Sequence, residues 1–270
     1  MRLNYSDWKN EYAPVLATFA NKKVFMLFTG GKDSSVILSF LLRAATECGF
    51  EFETHSARYP TQVFPDAETE RLDTYWRSRG VEIRWHMVNA SDDMLEEAEK
   101  DGKNPCHVCH KIKRTHLFGY LHEIEQNTEH MVIILSFSLW DLVSYSLEYL
   151  VNGVFSTARS ESHEERFIRT SQRFYPVIEL KDGFTVFKPL LKYNDHEILD
   201  VVKEEKIPLS TIECPYKRYT PKRILFEYYA QANASFDYES VLKYVKDSFK
   251  LNDLSQYAEM GTYDFIKDML

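Results

Sequence analysis

The chain has 270 residues, 44% of them apolar, and a formal net charge of −8. That length holds one full α/β domain plus a smaller appendage, and the acidic balance excludes a large nonspecific grip on nucleic acid by the chain as a whole. No apolar run reaches membrane-spanning length and Met1–Asp7 shows no signal-peptide core, so the expected setting is cytoplasmic, with no membrane partner.

Residues 1–20 form an N-terminal helical segment ahead of the first buried strand, Val24-Phe25-Met26-Leu27-Phe28. Val36, Ile37, Phe40, Leu41 and Ala44 then recur at helical spacing. Phe50 to Arg58 reads as a second strand, and Asp66 to Arg79 as a helix ending at Gly80. Val81, Ile83, Trp85 and Met87 alternate with polar residues, the period of a half-exposed strand. Ser91 is placed as an N-cap before Met94-Leu95. Met131 to Leu135 is another buried strand, followed by a helix over Leu139 to Val151. Ser156 to Arg173 is polar and without period, the signature of a functional lid or a disordered loop. Phe174–Leu180 and Phe184–Leu190 flank Lys181-Asp182-Gly183 as a hairpin. Helices are expected over Asp195–Lys206 and Pro221–Gln231, and a last one carries Val241, Leu242, Val245 and Phe249.

The β-α-β-α order predicts an α/β fold: a doubly wound, Rossmann-like parallel sheet with a small helical C-terminal extension. The expected division is a helical segment at 1–20, a catalytic domain at 21–220 and the extension at 221–270. Ligands on such sheets bind at the carboxyl ends of the strands.

Thr29-Gly30-Gly31-Lys32-Asp33-Ser34-Ser35 sits at such an end, between the first strand and its helix. Two glycines permit a tight turn that exposes backbone N–H groups, and the helix dipole adds positive potential. Lys32 brings a full charge, and Ser34 and Ser35 bring hydroxyls. This is a phosphate cradle, although the Walker A spacing is missing.

Of the four cysteines, Cys106-His107-Val108-Cys109 places two thiols on one side of a helical turn that Pro105 can open. Cys214, in Glu213-Cys214-Pro215-Tyr216, is a third candidate ligand; Cys48 reads as a buried apolar residue. Several chemistries fit this set. One is a structural zinc completed by His107 or His110. Others are a thiol redox pair and covalent haem at C-x-x-C-H, which requires export. An iron–sulfur cluster held by three thiolates with one iron left open is the reading preferred here.

The loop resembles the pyrophosphate-binding Ser/Thr-Gly-Gly-x-Asp-Ser loop of the PP-loop ATP pyrophosphatases, which split ATP between the α and β phosphates. With the C-x-x-C, Lys113-Arg114, Lys188-Pro189-Leu190 and Glu213-Cys214-Pro215-Tyr216, the chain is similar to the [4Fe–4S]-dependent tRNA thiolases of that superfamily, from about Val24 to Tyr216. The resemblance implies an adenine nucleotide α-hydrolase-like sheet. It implies ATP on Thr29–Ser35 with Lys188 as a further phosphate contact, and Mg²⁺ held by Asp33 or Asp141. It also implies a [4Fe–4S] cluster on Cys106, Cys109 and Cys214, with Lys113 in the active site. Lys32, Asp33, Lys113 and Asp141 are the implied catalytic set. Where those thiolases show Gly-His-Asn-x-Asp-Asp, this chain reads Ser136-Phe137-Ser138-Leu139-Trp140-Asp141, keeping only the last acid. Tyr59–Thr69 is also similar to a segment of the adenylylated-sulfate reductases, which bind a sulfonucleotide without splitting ATP.

The implied reaction is attack of a carbonyl-type oxygen on the α phosphate, loss of pyrophosphate, and displacement of AMP by sulfur from sulfide or a carrier protein. Basic residues beside the cysteines (Lys111, Lys113 and Arg114; Lys217, Arg218, Lys222 and Arg223) suit a tRNA backbone or the ATP itself. The overall charge and the altered Gly-His-Asn motif favour a small-molecule or nucleobase acceptor over tRNA. Tyr145, Tyr149, Phe155 and Phe167 are candidates to stack on a flat ring. A homodimer is compatible with all of this. The alternatives are an adenylylated-sulfate reductase and a non-catalytic zinc or iron–sulfur protein that senses nucleotide.

Overall fold

A computed structural model describes residues 2–124, 130–155, 171–249 and 251–269. Most of the 156–173 segment, with Phe167, lies outside the described residues. Six strands form one sheet in the order β3-β2-β1-β4-β6-β5. They are β1 (Lys23–Leu27), β2 (Phe52–Arg58), β3 (Ile83–Met87), β4 (Met131–Ile134), β5 (Val177–Glu179) and β6 (Thr185–Phe187). All neighbours are parallel except the β5–β6 hairpin, which makes β5 an antiparallel edge. The fold is the α/β one expected, with a helical C-terminal region.

Alternation along the strands assigns the two faces. Val24 and Met26 of β1 join Val132 and Ile134 of β4 in a core beneath α1 (Tyr5–Leu16), α2 (Lys32–Cys48) and α3 (Asp66–Arg77). Phe25 and Ile133 point the other way, onto Phe118 and Leu121 of α5 (Pro105–Ile124). The N-terminal helix shares the first core: Trp8 is fully buried and its indole N–H donates to the Pro189 carbonyl at 3.1 Å.

Between β3 and α5 lies α4 (Asp93–Lys100), where the Ser91 hydroxyl accepts the Asp93 N–H at 3.2 Å. Pro105 opens α5 as expected, but this helix runs 20 residues where the sequence suggested one turn. Its apolar stripe is interrupted by His107, His110, Lys111 and Lys113, which weakens the periodic signal. After β4 comes α6 (Leu139–Tyr149), and after the hairpin α7 (Asp195–Glu205). The C-terminal helices are α8 (Pro221–Gln231), α9 (Tyr238–Ser248), α10 (Leu254–Ala258) and α11 (Thr262–Met269). They are docked on the domain: Tyr229 packs on Trp140, Tyr238 and Val245 join Phe174 and Leu139, and Tyr257 and Phe265 cover the β5–β6 side. Among the described residues no helix is long and apolar enough to cross a membrane.

A histidine pair fixes α5 against the β2–β3 edge. His55 Nδ1 and His86 Nε2 lie 2.9 Å apart, His55 Nε2 meets Glu53 at 3.1 Å, and Tyr120 of α5 sits 4.3 Å from the His86 ring. Burial, then the charges of His55 and His116, push His86 from 6.5 down to about 4. A histidine with a depressed folded value stabilises fully above its unfolded value, and that contribution is lost as the pH falls towards the folded one. Melting temperature should therefore drop between pH 6.5 and about 4, and His86→Gln should flatten that stretch of the profile. An unchanged slope in the variant would assign the acid sensitivity elsewhere.

Candidate active site

The glycine loop follows β1 at its carboxyl end. Gly30 has φ +71, in the left-handed region, and Gly31 caps α2 without a side-chain hydrogen bond, leaving the first-turn N–H groups for a ligand. Ser34 holds the turn: its hydroxyl donates to the Gly31 carbonyl at 3.0 Å and accepts the Thr29 N–H at 3.2 Å. The Ser35 hydroxyl is buried with no hydrogen-bond partner, and so is that of Ser210, on the chain crossing above Gly30. Two orphaned hydroxyls at a helix N-terminus fit a phosphate cradle.

A Cβ on Gly30 would lie 3.2 Å from Ser210 Cβ and would hold a residue in a left-handed conformation. Gly30→Ala is thus expected to cost about 1–2 kcal/mol in strain. It should also weaken nucleotide binding by displacing the crossing chain. Chemical denaturation and nucleotide titration check both effects; wild-type values in both would show that the loop tolerates a side chain.

Beside the loop is a cluster of alternating charges. Lys32 Nζ contacts Asp33 Oδ1 at 2.8 Å and Asp195 Oδ2, at the first position of α7, at 3.0 Å. Burial lowers the lysine's pKa, but the two carboxylates outweigh that and raise it. Asp195 is pushed up by burial and by Asp33, against the pull of Lys32. Ser138 donates to Asp195 at 3.0 Å and to Asp141 at 3.2 Å. Asp141 closes a capping box on α6 by accepting the Ser138 N–H at 2.9 Å, while Lys222 of α8 reaches its other oxygen at 2.7 Å. Burial disfavours the Asp141 charge, yet Lys222 holds its pKa below the ordinary value. A small open cleft adjoins this pair, with Phe137, Tyr145, Glu148 and Arg173 on its walls.

The three predicted cysteines come together on one wall. Cys109 is buried among Ala57, Tyr59, Leu117 and Tyr216, with Cys106 and Cys214 packed against the same cluster. The Cys106 thiol donates to the Tyr216 carbonyl and accepts from the Thr220 hydroxyl, both at 3.2 Å. Burial raises the Cys109 thiol's pKa, and Lys113, within hydrogen-bonding reach, opposes the rise. Among the described residues no three His, Cys, Asp or Glu side chains close on a single-ion position. His107 and His110, the candidate fourth zinc ligands, lie on the exposed side of α5. Three thiols on one wall are soft donors of the kind that hold zinc or an iron–sulfur cluster.

Lys188 departs from its expectation as a phosphate contact. It is fully buried, and its ammonium donates to the Gln172 and Tyr175 carbonyls at 2.8 and 2.9 Å. Burial and the Arg173 charge push it down to about 7. Part of the expected basic surface is likewise paired within the chain: Lys217 with Glu213, Arg218 with Glu99 and Lys222 with Asp141. Of the aromatic candidates, Tyr145 and Tyr149 pack against the α6–α9 core, and Phe155 is exposed. Sequence reasoning missed Asp195, Ser138 and Ser210. Ser138 lies in the altered Gly-His-Asn segment, where only Asp141 matched, the segments of Asp195 and Ser210 carry no motif, and the sheet topology brings all three to the loop.

No family model matches the chain. It is 23% identical over 220 residues to the tRNA-cytidine(32) 2-sulfurtransferase of Geobacter sulfurreducens, covering 79% of this chain and 77% of the relative. It is 30% identical over 105 residues to the enzyme of that name from Azotobacter vinelandii, covering 38% of this chain and 36% of the relative. Among solved structures it superposes on the U34-tRNA thiolase NcsA of Methanococcus maripaludis with its [4Fe–4S] cluster. There the TM-score is 0.64 at 15% identity, over 97% of this chain and 88% of that one. The chain resembles the PP-loop tRNA thiolases. At these identities the structural likeness shows the α/β fold alone, and the first of the sequence relatives matches over 220 residues of the chain.

Proposed function

We propose that this chain is an ATP-pyrophosphatase-type sulfurtransferase that adenylates a carbonyl-type oxygen of a tRNA base and replaces it with sulfur, releasing pyrophosphate and AMP. The observation that carries this reading is the placing of a phosphate loop and three thiols at the same end of the sheet, with Lys32 on one side and Lys113 on the other.

The β and γ phosphates of ATP would lie on the N–H groups of Gly30–Ser35. Asp33 and Asp195 are the carboxylates suited to Mg²⁺, which when bound shares the phosphate charge, whereas Asp141, the other carboxylate expected there, has its oxygens committed to Lys222 and to the Ser138 N–H. Lys32, already held between these two acids, neutralises charge building on the phosphoryl oxygens. The base oxygen attacks the α phosphorus, the bond to the bridging oxygen breaks, and pyrophosphate leaves. Sulfide then adds at the activated base carbon, and AMP departs with the former base oxygen. Cys106, Cys109 and Cys214 would hold a [4Fe–4S] cluster, which when bound supplies an iron with no protein ligand for the incoming sulfur. Lys113 offers a positive charge beside that wall. Lys222 holds Asp141 at the mouth of the cleft, where Arg173, stacked over the Tyr145 ring, offers a cation to a nucleotide.

The expectation of a small acceptor rested on net charge and on the altered motif near Ser138. The named activity of the sequence relatives favours tRNA, and the local cations make an acidic total charge compatible with it. The test is release of AMP and pyrophosphate from ATP with unmodified tRNA, compared with free cytidine or uridine nucleotides. Release with tRNA supports the proposal, and release with free nucleotides alone returns the small acceptor. Reduction of adenylylated sulfate without ATP cleavage would replace the proposal with the reductase reading.

A further inference from the structure

The segment after α7 ties the phosphate loop to the cysteine wall. The Ser210 N–H donates to the Gly30 carbonyl at 2.8 Å, and Cys214 follows four residues later. Between them the chain is clamped by α3. Glu68, only 5% exposed, accepts the Thr211 N–H at 2.7 Å and the Thr211 hydroxyl at 3.2 Å. Arg71 forks onto the same carboxylate at 3.0 and 2.8 Å and also donates to the Leu209 carbonyl at 2.7 Å. Residues 209, 210 and 211 are therefore each held, two by the Glu68–Arg71 pair and one by the loop itself.

We propose that Glu68 and Arg71 are positioning residues that couple occupancy of the phosphate loop to the placement of Cys214. This rests on the ATP reading above. A ligand on the loop N–H groups fixes the Gly30 peptide, which carries Ser210; the clamp keeps the strap in register, so the constraint reaches Cys214. Without the clamp, Ser210 can follow the loop while Thr211 and Cys214 relax. The segment that resembles the adenylylated-sulfate reductases, Tyr59–Thr69, ends on this clamp, which gives its acidic end a role that requires no sulfonucleotide.

The full-length cluster-free chain tests the coupling with α,β-methylene-ATP and Mg²⁺ as probe. The readout is the rate of Cys214 alkylation by iodoacetamide, followed by peptide mass spectrometry with Cys48 as internal reference. The bound analogue should slow Cys214 alkylation in the wild type by about fivefold or more. Glu68→Gln and Arg71→Ala should bind the analogue by calorimetry yet show less than about a twofold effect. Thr211→Val, which removes only the hydroxyl contact, should fall between and guards against misfolding of the first two. Full slowing retained in all three variants would mean that nucleotide shields Cys214 directly, and no slowing in a wild type that binds the analogue would mean the sites are uncoupled. Either result overturns the proposal. Failure of the wild type to bind the analogue would instead overturn the ATP reading itself.

Discussion

Cys214→Ala is expected to bring sulfur transfer down by about a thousandfold or more, the scale on which a residue essential to the chemistry fails, while nucleotide binding stays near wild type. The physical reason is the division of labour at this end of the sheet. Cys214 sits on the wall with Cys106 and Cys109, and contacts to the Ser210 strap leave the loop side intact. Anaerobic reconstitution should give about four irons per wild-type chain and clearly fewer in the variant. Nucleotide titration of both proteins separates the effects. A variant with full iron and full transfer would remove Cys214 from the ligand set; one that lost nucleotide binding as well would show that it acts through the fold.

Asp33→Asn is expected to lower pyrophosphate release by about 10²–10³-fold, the usual effect of removing one preorganised charge from a phosphoryl-transfer site. Asp33 meets Lys32 through both carboxylate oxygens, at 2.8 and 2.9 Å. Replacing it with the amide leaves Lys32 facing Asp195 alone and withdraws one of two carboxylates suited to Mg²⁺. Single-turnover release measured over a range of Mg²⁺ should show both a lower rate and a higher metal requirement. A variant with wild-type rate and metal dependence would place the metal on other groups.

The loop was legible because its chemistry is local: strand, two glycines, lysine and serines stand in chain order, and Gly30 takes the left-handed conformation that the motif demands. The C-x-x-C was legible for the same reason, since two positions three apart share a helical face. Cys214 was a candidate from the cysteine count, the ordered resemblance tied it to the C-x-x-C, and the fold brings it to the same wall. Asp195 was not legible. It looks like any acid at the start of a helix, and only the parallel pairing of β4 with β6 carries it to Lys32. Lys222 read as one member of a basic surface, whereas its ammonium is committed to Asp141. Lys188 shows the limit from the other side: a lysine before Pro-Leu suggests solvent or phosphate, and nothing in sequence indicates that two backbone carbonyls will hold it inside. Each of these depends on which distant segments share the strand ends, and periodicity and spacing carry no such information.

The most direct test of the central claim is a product analysis. The reconstituted protein is incubated anaerobically with ATP, Mg²⁺, sulfide and unmodified tRNA, and the tRNA is then digested to nucleosides and examined by mass spectrometry. One thionucleoside per pyrophosphate and per AMP, dependent on all four reactants, is the predicted result. Pyrophosphate release with no sulfur entering the tRNA would contradict a tRNA sulfurtransferase and leave an ATP pyrophosphatase acting on another acceptor.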